Sequence, residues 1–158
     1  MKEKSQKSLN TVIAGLGSWQ GDDQAGWRLI ELLRKCASLR AQLVALQEPT
    51  ELITYLDGCH RLVIVDACLS GAAPGSIFRF RWPDVRIDQL RSESSHSFGI
   101  GSTLHLSERL GKLPQQVVVF GIEVEACHCL WKLTSAVEHG LHRLKRRVLR
   151  EVSEAVHA

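Results

Sequence analysis

The chain has 158 residues, enough for one domain that buries roughly two thirds of the surface exposed by its unfolded form. Its hydrophobic fraction of 44%, its charged fraction of 23% and its 4 prolines are typical of a globular protein and argue against long disordered regions. The net charge of +3 does not indicate nucleic-acid binding, because much of the positive charge is confined to residues 143–150. We therefore expect a single domain over residues 1–158, with a polar N-terminal tail at 1–10.

The cysteines and the N-terminus bear on the cellular compartment. Five cysteines, an odd number without zinc-finger spacing, are typical of reduced thiols rather than of a disulfide framework. The apolar run after the charged N-terminus is too short for a signal peptide and far too short to span a bilayer. These features predict a cytoplasmic protein that binds no nucleic acid and does not insert into a membrane.

Short apolar runs alternate with amphipathic patterns along the chain. Buried strands are predicted at 11–16, 42–46, 62–65 and 117–120, and an edge strand at 76–82. Helices are predicted at 24–38, 48–56 and 99–110, the last with apolar residues Ile100, Leu104, Leu106 and Leu110. A final helix is capped by Thr134 or Ser135 and keeps an apolar face through Val156, while 86–97 and 122–133 are predicted to be loops or short turns. This alternation predicts an α/β fold, namely a three-layer α/β/α sandwich with a mostly parallel central sheet.

Residues 11–26, TVIAGLGSWQGDDQAG, combine a strand, a glycine-rich turn and the start of a helix. Such a unit places its turn at the carboxyl end of the strand, where open α/β sheets bind their ligands. The glycines at 15, 17 and 21 do not fit the dinucleotide spacing G-x-G-x-x-G, and Asp22 and Asp23 would repel a phosphate. A dinucleotide site stays open as an alternative, because Glu48 follows the second strand, where a ribose hydroxyl needs an acid. Helix capping is the structural alternative for the two aspartates.

A further carboxylate follows the most apolar strand. Asp66 comes directly after residues 62–65, and His96 lies in a polar loop before a predicted helix. Each has an ordinary explanation, since strand-end aspartates often accept local backbone bonds and a histidine in a polar loop is usually solvated. In a parallel sheet, however, the ends of the first and third strands and such a loop can meet at one edge. Two carboxylates and one imidazole form a ligand set that suits nickel or zinc.

Two other features of the sequence narrow the chemistry. Cys127, His128 and Cys129 resemble a metal cluster, but ligands so closely spaced seldom close a site alone, and a loop is the simpler interpretation. The sequence has no G-x-S-x-G elbow or other nucleophile signature, which disfavours a serine or cysteine hydrolase.

Four segments, taken together, resemble the hydrogenase maturation endopeptidases. They are GLGSWQGDDQAG, RLVIVDACLSGAAPGSIFRF, SSHSFGI and VVVFGIEVE. In order, they are similar to the family's glycine-acid turn, its apolar strand with an aspartate, its Ser-x-His segment and its Gly-Ile-Glu strand end, and they span roughly residues 11–135. The resemblance implies an α/β/α fold and an endopeptidase that removes the C-terminal extension of a nickel–iron hydrogenase large-subunit precursor after nickel insertion.

The resemblance also implies roles for particular residues. By their positions in the motifs, Asp23, Asp66 and His96 correspond to the family's nickel ligands and are the expected catalytic residues. The nickel would be supplied by the precursor, which is the expected partner, and another divalent metal could substitute in the isolated protein. Asp23, rather than Asp22, is expected to face the metal. Ser18 in place of the family's asparagine, and a shorter loop before Asp23, leave a precursor-binding factor that does not cleave as the alternative.

Overall fold

The structure, a computed structural model, describes residues 10–89, 99–125 and 131–154. Within these residues five strands form one sheet: β1 Thr11–Leu16, β2 Gln42–Leu46, β3 Arg61–Cys68, β4 Ile77–Arg81 and β5 Gln116–Glu123. The α-helices of the same ranges are α1 Ala25–Arg34, α2 Arg86–Gln89, α3 Ile100–Arg109 and α4 Ser135–Glu154. Short 3₁₀ helices at Gly21–Gln24 and Pro49–Tyr55 follow β1 and β2.

The strand order in the sheet is β2-β1-β3-β5-β4. The first four strands in this order run parallel, and β4 pairs antiparallel with β5 at the edge. The chain leaves β1 towards β2 on one side, whereas β3 lies on the other side, so the direction of the connections reverses between β1 and β3. In open α/β sheets, ligands bind in the crevice at such a reversal, outside the carboxyl ends of the strands. The topology therefore makes the carboxyl ends of β1 and β3 the expected place for a ligand.

Helices cover both faces of the sheet, because side chains alternate between the faces along each strand. In β1, Ile13 packs with α1 and α4 on one face, while Val12 and Ala14 pack with α3 and the second 3₁₀ helix on the other. Each face is stabilised by the apolar area that it removes from water, at about 25 cal/mol per Å². The predicted three-layer sandwich with a mostly parallel sheet is confirmed.

Two glycines allow α1 to lie directly against β1. A Cβ atom on Gly15 would lie 2.2 Å from the carbonyl oxygen of Gly26, and one on Gly26 would lie 2.0 Å from that of Leu16. Because both neighbours are backbone atoms, neither contact can be relieved by a side-chain rotation. These glycines of the first motif are thus explained by close packing of helix against strand, without any need for a bound phosphate.

Two strands are longer than the sequence pattern predicts. β3 continues to Cys68 and β5 continues to Glu123, because the two strands pair in register as far as these residues. The predictions that the third strand ends at residue 65 and that a loop begins at residue 122 are therefore wrong. Asp66 consequently lies inside β3, opposite Gly121, rather than just after the strand.

Helix α3 buries a different face from the one predicted by its apolar spacing. Leu106 and Leu110 are exposed, contrary to the prediction. Thr103 and Ser107 are buried in their place, because each hydroxyl donates to the backbone carbonyl four residues earlier and needs no partner from solvent. Small hydroxyl side chains thus occupy positions where the periodic pattern expects leucine.

The other helices lie where the sequence predicts them but differ in length. α1 ends at Arg34 rather than at residue 38, and α2 occupies part of the segment 86–97 that is predicted to be a loop. α4 buries Leu144 and Val148, as its predicted apolar face requires, whereas Val156 lies outside the described residues. None of the described helices is both long enough and apolar enough to cross a bilayer.

Candidate active site

The connection from β1 to α1 carries two adjacent buried aspartates, Asp22 and Asp23, each 3% exposed. The connection is a tight turn. The amide of Asp23 donates to the carbonyl of Gln20 at 2.9 Å, and the carbonyl of Asp23 accepts from the amide of Ser18 at 3.3 Å. Gly21 has a φ of 46°, a left-handed conformation that glycine adopts without steric cost. The turn therefore holds both carboxylates in place, but their surroundings differ.

Asp22 is fully engaged by the start of α4. One of its oxygens accepts from the amide of Thr134 at 2.6 Å, and the other accepts from the Thr134 hydroxyl at 2.9 Å and from the amide of Glu125 at 3.3 Å. Neither Asp22 nor Asp23 caps α1 through its side chain. The predicted capping of α1 is thus not found, and Asp22 is bonded instead to Thr134, the residue directly before α4. Asp22 is a structural residue that ties the turn to the end of β5.

Asp23 and Asp66 are in the opposite situation. In each of these side chains the Oδ1 atom is buried and has no hydrogen-bond partner in the described part of the chain. Burial, first, and the negative charge of Asp23, second, raise the pKa of Asp66 from 3.8 to about 8, against a smaller lowering by the amide of Ala67. Buried carboxylate oxygens without donors are costly unless a ligand supplies the missing positive charge. The pair is therefore a candidate binding site in the crevice between β1 and β3.

A divalent cation fits this pair chemically. Carboxylate oxygens are accepted as ligands by nickel and zinc, and a cation between them would offset the repulsion that raises the pKa of Asp66. The third expected ligand, His96, lies outside the described residues, so its placement stays a prediction. α3, which follows that segment, packs on the same face of the sheet as Ile64, two positions before Asp66 in β3. No set of three His, Cys, Asp or Glu side chains within 10–89, 99–125 and 131–154 is grouped to hold a metal.

Glu48, the acid that a ribose would need, is used locally. It forms a capping box at the start of the second 3₁₀ helix, where its side chain accepts from the amide of Glu51 and the Glu51 carboxylate accepts from the amide of Glu48 at 2.8 Å. Together with the buried aspartates before α1, this arrangement weighs against the dinucleotide alternative. The Cys-His-Cys cluster at 127–129 lies outside the described residues.

Glu123, at the end of β5, is an organising residue that the sequence analysis does not single out. Its carboxylate, 2% exposed, accepts from the amide of Ser70 at 2.9 and 3.0 Å, from the Ser70 hydroxyl at 2.6 Å and from the amide of Gly71 at 2.9 Å. Burial and the neighbouring Glu123 carboxylate raise the pKa of the Cys68 thiol. Glu123 therefore fixes the loop that leaves β3. An acidic residue at the end of an apolar run is the signal that could have identified it.

The chain is similar to known proteins in both sequence and fold. Residues 28–151 match the family model HycI, hydrogenase maturation protease. The chain is 30% identical over 120 residues to the hydrogenase expression/formation protein HoxM of Cupriavidus necator, which covers 72% of this chain and 59% of that protein. It is 25% identical over 125 residues to the hydrogenase expression/formation protein HupD of Bradyrhizobium diazoefficiens, with 75% and 65% covered. The chain thus spans less than two thirds of the length of either relative.

A solved structure shares the fold. The hydrogenase maturating endopeptidase HybD from E. coli superposes with a TM-score of 0.79 over 93% of this chain and 94% of that chain, at 24% sequence identity. The five-stranded, mostly parallel sheet with helices on both faces is therefore an architecture that this chain shares with a known endopeptidase.

Proposed function

This chain belongs to the hydrogenase maturation protease family, and we propose that it is an endopeptidase acting on the large-subunit precursor of a nickel–iron hydrogenase. In this proposal it removes the C-terminal extension of the precursor after nickel has been inserted, and it recognises the nickel. The proposal is supported by the Asp23–Asp66 pair at the reversal point of the sheet, two buried carboxylates that each retain an oxygen with no donor among the residues that the structure describes.

In this proposal the nickel belongs to the substrate, since it arrives in the precursor. Asp23, Asp66 and His96 would be its ligands on the protease. The bound nickel would then identify a precursor that can be cleaved. A bound divalent ion supplies Lewis-acid polarisation of a carbonyl or of a water molecule. The part of this chain is to hold the carboxylates in position: the turn at 21–24 holds Asp23, and the β3–β5 pairing holds Asp66.

The raised pKa of Asp66 bears on its protonation state before a cation binds. With a pKa of about 8, Asp66 holds a proton at neutral pH in the free protein. That proton must leave before the oxygen can act as a metal ligand, so binding of a cation is coupled to proton release. The site then favours a cation over a neutral ligand, because only a cation compensates both carboxylates.

We also propose a cytoplasmic location. Among the cysteines in the described ranges, Cys36, Cys59 and Cys68 are free, which is consistent with a reducing compartment.

The proposal is tested by incubating the chain with a nickel-loaded large-subunit precursor from the same organism. We expect the precursor to lose its C-terminal peptide, as measured by intact-mass spectrometry. The matched control is the same precursor prepared without nickel, which should stay intact. Co-purification of the two proteins without loss of mass would favour the non-cleaving binding factor, and an intact, unbound precursor would overturn both versions.

A further inference from the structure

Two tryptophan side chains are strongly exposed on this molecule. Trp19 is 71% exposed and Trp131 is 81% exposed. A tryptophan buries a large apolar area when it is covered, which is why this residue is enriched among the side chains that dominate protein–protein binding. An exposed indole beside a candidate active site is therefore a feature to explain.

Trp19 is held in place by other aromatic and backbone groups. Its ring packs edge-on against that of Trp27, with centroids 4.9 Å apart and planes at 83°. The indole nitrogen of Trp27 in turn donates to the carbonyl of Leu46, the last residue of β2, at 2.8 Å. Trp19 also precedes the turn that carries Asp23 by only a few residues. These contacts place the exposed indole on the β2 side of the site.

Trp131 is bonded to the same turn through its backbone. Its carbonyl accepts from the side-chain amide of Gln24 at 2.9 Å, and Gln24 is buried and adjacent to Asp23. Three residues further on, Thr134 is bonded to Asp22. The backbone of Trp131 therefore lies against the turn that carries Asp23.

The two residues with exposed indoles thus both adjoin the turn that presents the candidate metal ligand, Trp19 along the chain and Trp131 through Gln24. A polypeptide that reaches Asp23 therefore passes close to both. We propose that Trp19 and Trp131 bind apolar side chains of the precursor beside the carboxylate pair and so determine which precursor is accepted. This inference rests on the proposed function and names the residues that provide its specificity.

The test measures binding and cleavage separately. Binding of the nickel-loaded precursor is measured by biolayer interferometry for the unaltered chain and for Trp19→Ala, Trp131→Ala and Trp19→Phe. The matched control is Leu110→Ala, because Leu110 is also exposed, at 53%, but lies away from the candidate site. Leu110 directly follows α3, two residues before Lys112, and Lys112 forms an ion pair with Asp57, which lies before the amino end of β3. Circular dichroism checks that each variant is folded, and cleavage is followed by intact mass.

We expect each alanine variant to weaken precursor binding by about 10-fold or more, since a central tryptophan commonly contributes at least that much to an interface. KM for cleavage should rise by a similar factor while kcat is retained. Trp19→Phe should recover much of the binding, because it keeps an aromatic ring, and Leu110→Ala should bind like the unaltered chain.

The outcomes separate this inference from the proposed function. Weaker binding by the tryptophan variants, with no cleavage by any form, would support the inference and overturn the endopeptidase. Normal cleavage and unchanged binding in both alanine variants would overturn the inference alone. A precursor that does not bind the unaltered chain would also overturn the inference. So would the finding that the two alanine substitutions abolish self-association of this chain without changing precursor binding.

Discussion

Two buried carboxylate centres lie at the carboxyl edge of the same sheet, and they differ in what surrounds them. Glu123 accepts hydrogen bonds from two backbone amides and a hydroxyl in the loop after β3. Asp23 and Asp66 are buried to a similar degree, yet each keeps an oxygen that no donor in the described residues reaches. The first centre is complete within the fold, whereas the second leaves one oxygen of each carboxylate without a donor in the described residues.

The difference shows that burial of an acidic side chain does not by itself indicate function. A buried carboxylate whose oxygens all have donors stabilises a loop, as Glu123 does, and its removal leaves donors unpaired. A buried carboxylate with an oxygen that lacks a donor opposes the stability of the fold, and the raised pKa of Asp66 shows this despite the hydrogen bond from the amide of Ala67. The number of donors for each oxygen thus separates a structural centre from a binding centre.

The largest expected effect is the loss of processing when the incomplete centre is altered. Asp66→Asn and Asp23→Asn should each slow cleavage of the nickel-loaded precursor by at least about 1,000-fold, because an amide cannot replace an anionic ligand. The free energy of unfolding at pH 8 should not fall, since one of two repelling charges is gone. Rates of mass loss and urea titrations measure the two quantities.

Asp22→Asn is the matched control for this experiment. Its amide oxygen can still accept from Thr134, so we expect a loss of about 1 kcal/mol in unfolding free energy and processing close to that of the unaltered chain. If Asp22→Asn abolished processing while Asp23→Asn retained it, the roles assigned to the two aspartates would be reversed.

The next effect in size is on the complete centre. Glu123→Ala should lower the free energy of unfolding by about 3 kcal/mol, because it removes the charged acceptor of the Ser70 and Gly71 amides and of the Ser70 hydroxyl. Glu123→Gln keeps one acceptor oxygen and should cost about 1 kcal/mol. Urea unfolding at pH 7 measures both free energies. Equal stability of Glu123→Ala and the unaltered chain would show that Glu123 does not stabilise the loop after β3.

The last predicted effect is a gradual change of stability with pH. The pKa of Asp66 is raised in the folded state, so the folded chain holds a proton that the unfolded chain has released. The stability contributed in this way is fully present below about pH 4 and is lost as the pH rises towards 8, at up to about 1 kcal/mol per pH unit. The free energy of unfolding should therefore decrease from pH 5 through 6 and 7 to 8. In Asp66→Asn this decrease with pH should be smaller. An unchanged slope in the variant would show that Asp66 does not titrate in this range.

Local patterns in the sequence predict much of the fold. The bounds of β1 and β2 coincide with the predicted strands, and α3 ends before Gly111, which has the left-handed φ of 66° expected of a helix terminator. Strand bounds and helix ends depend mainly on residues that are close in sequence, so they can be predicted from local patterns. The burial of Thr103 and the extra residues of β3 depend instead on what packs against them, and no local pattern contains that information.

Residue patterns alone predict the α/β class, the order of the elements and the two aspartates that are candidates for the cation site. Which acidic residues are structural depends on the assembled fold. Asp22 is bonded to Thr134, 112 positions away, and Glu123 to Ser70, 53 positions away, while no comparable donor reaches Asp23 or Asp66 in the described part of the chain. The physical reason is that a carboxylate gains or lacks donors through contacts between distant segments, which form only when the sheet and its helices are assembled.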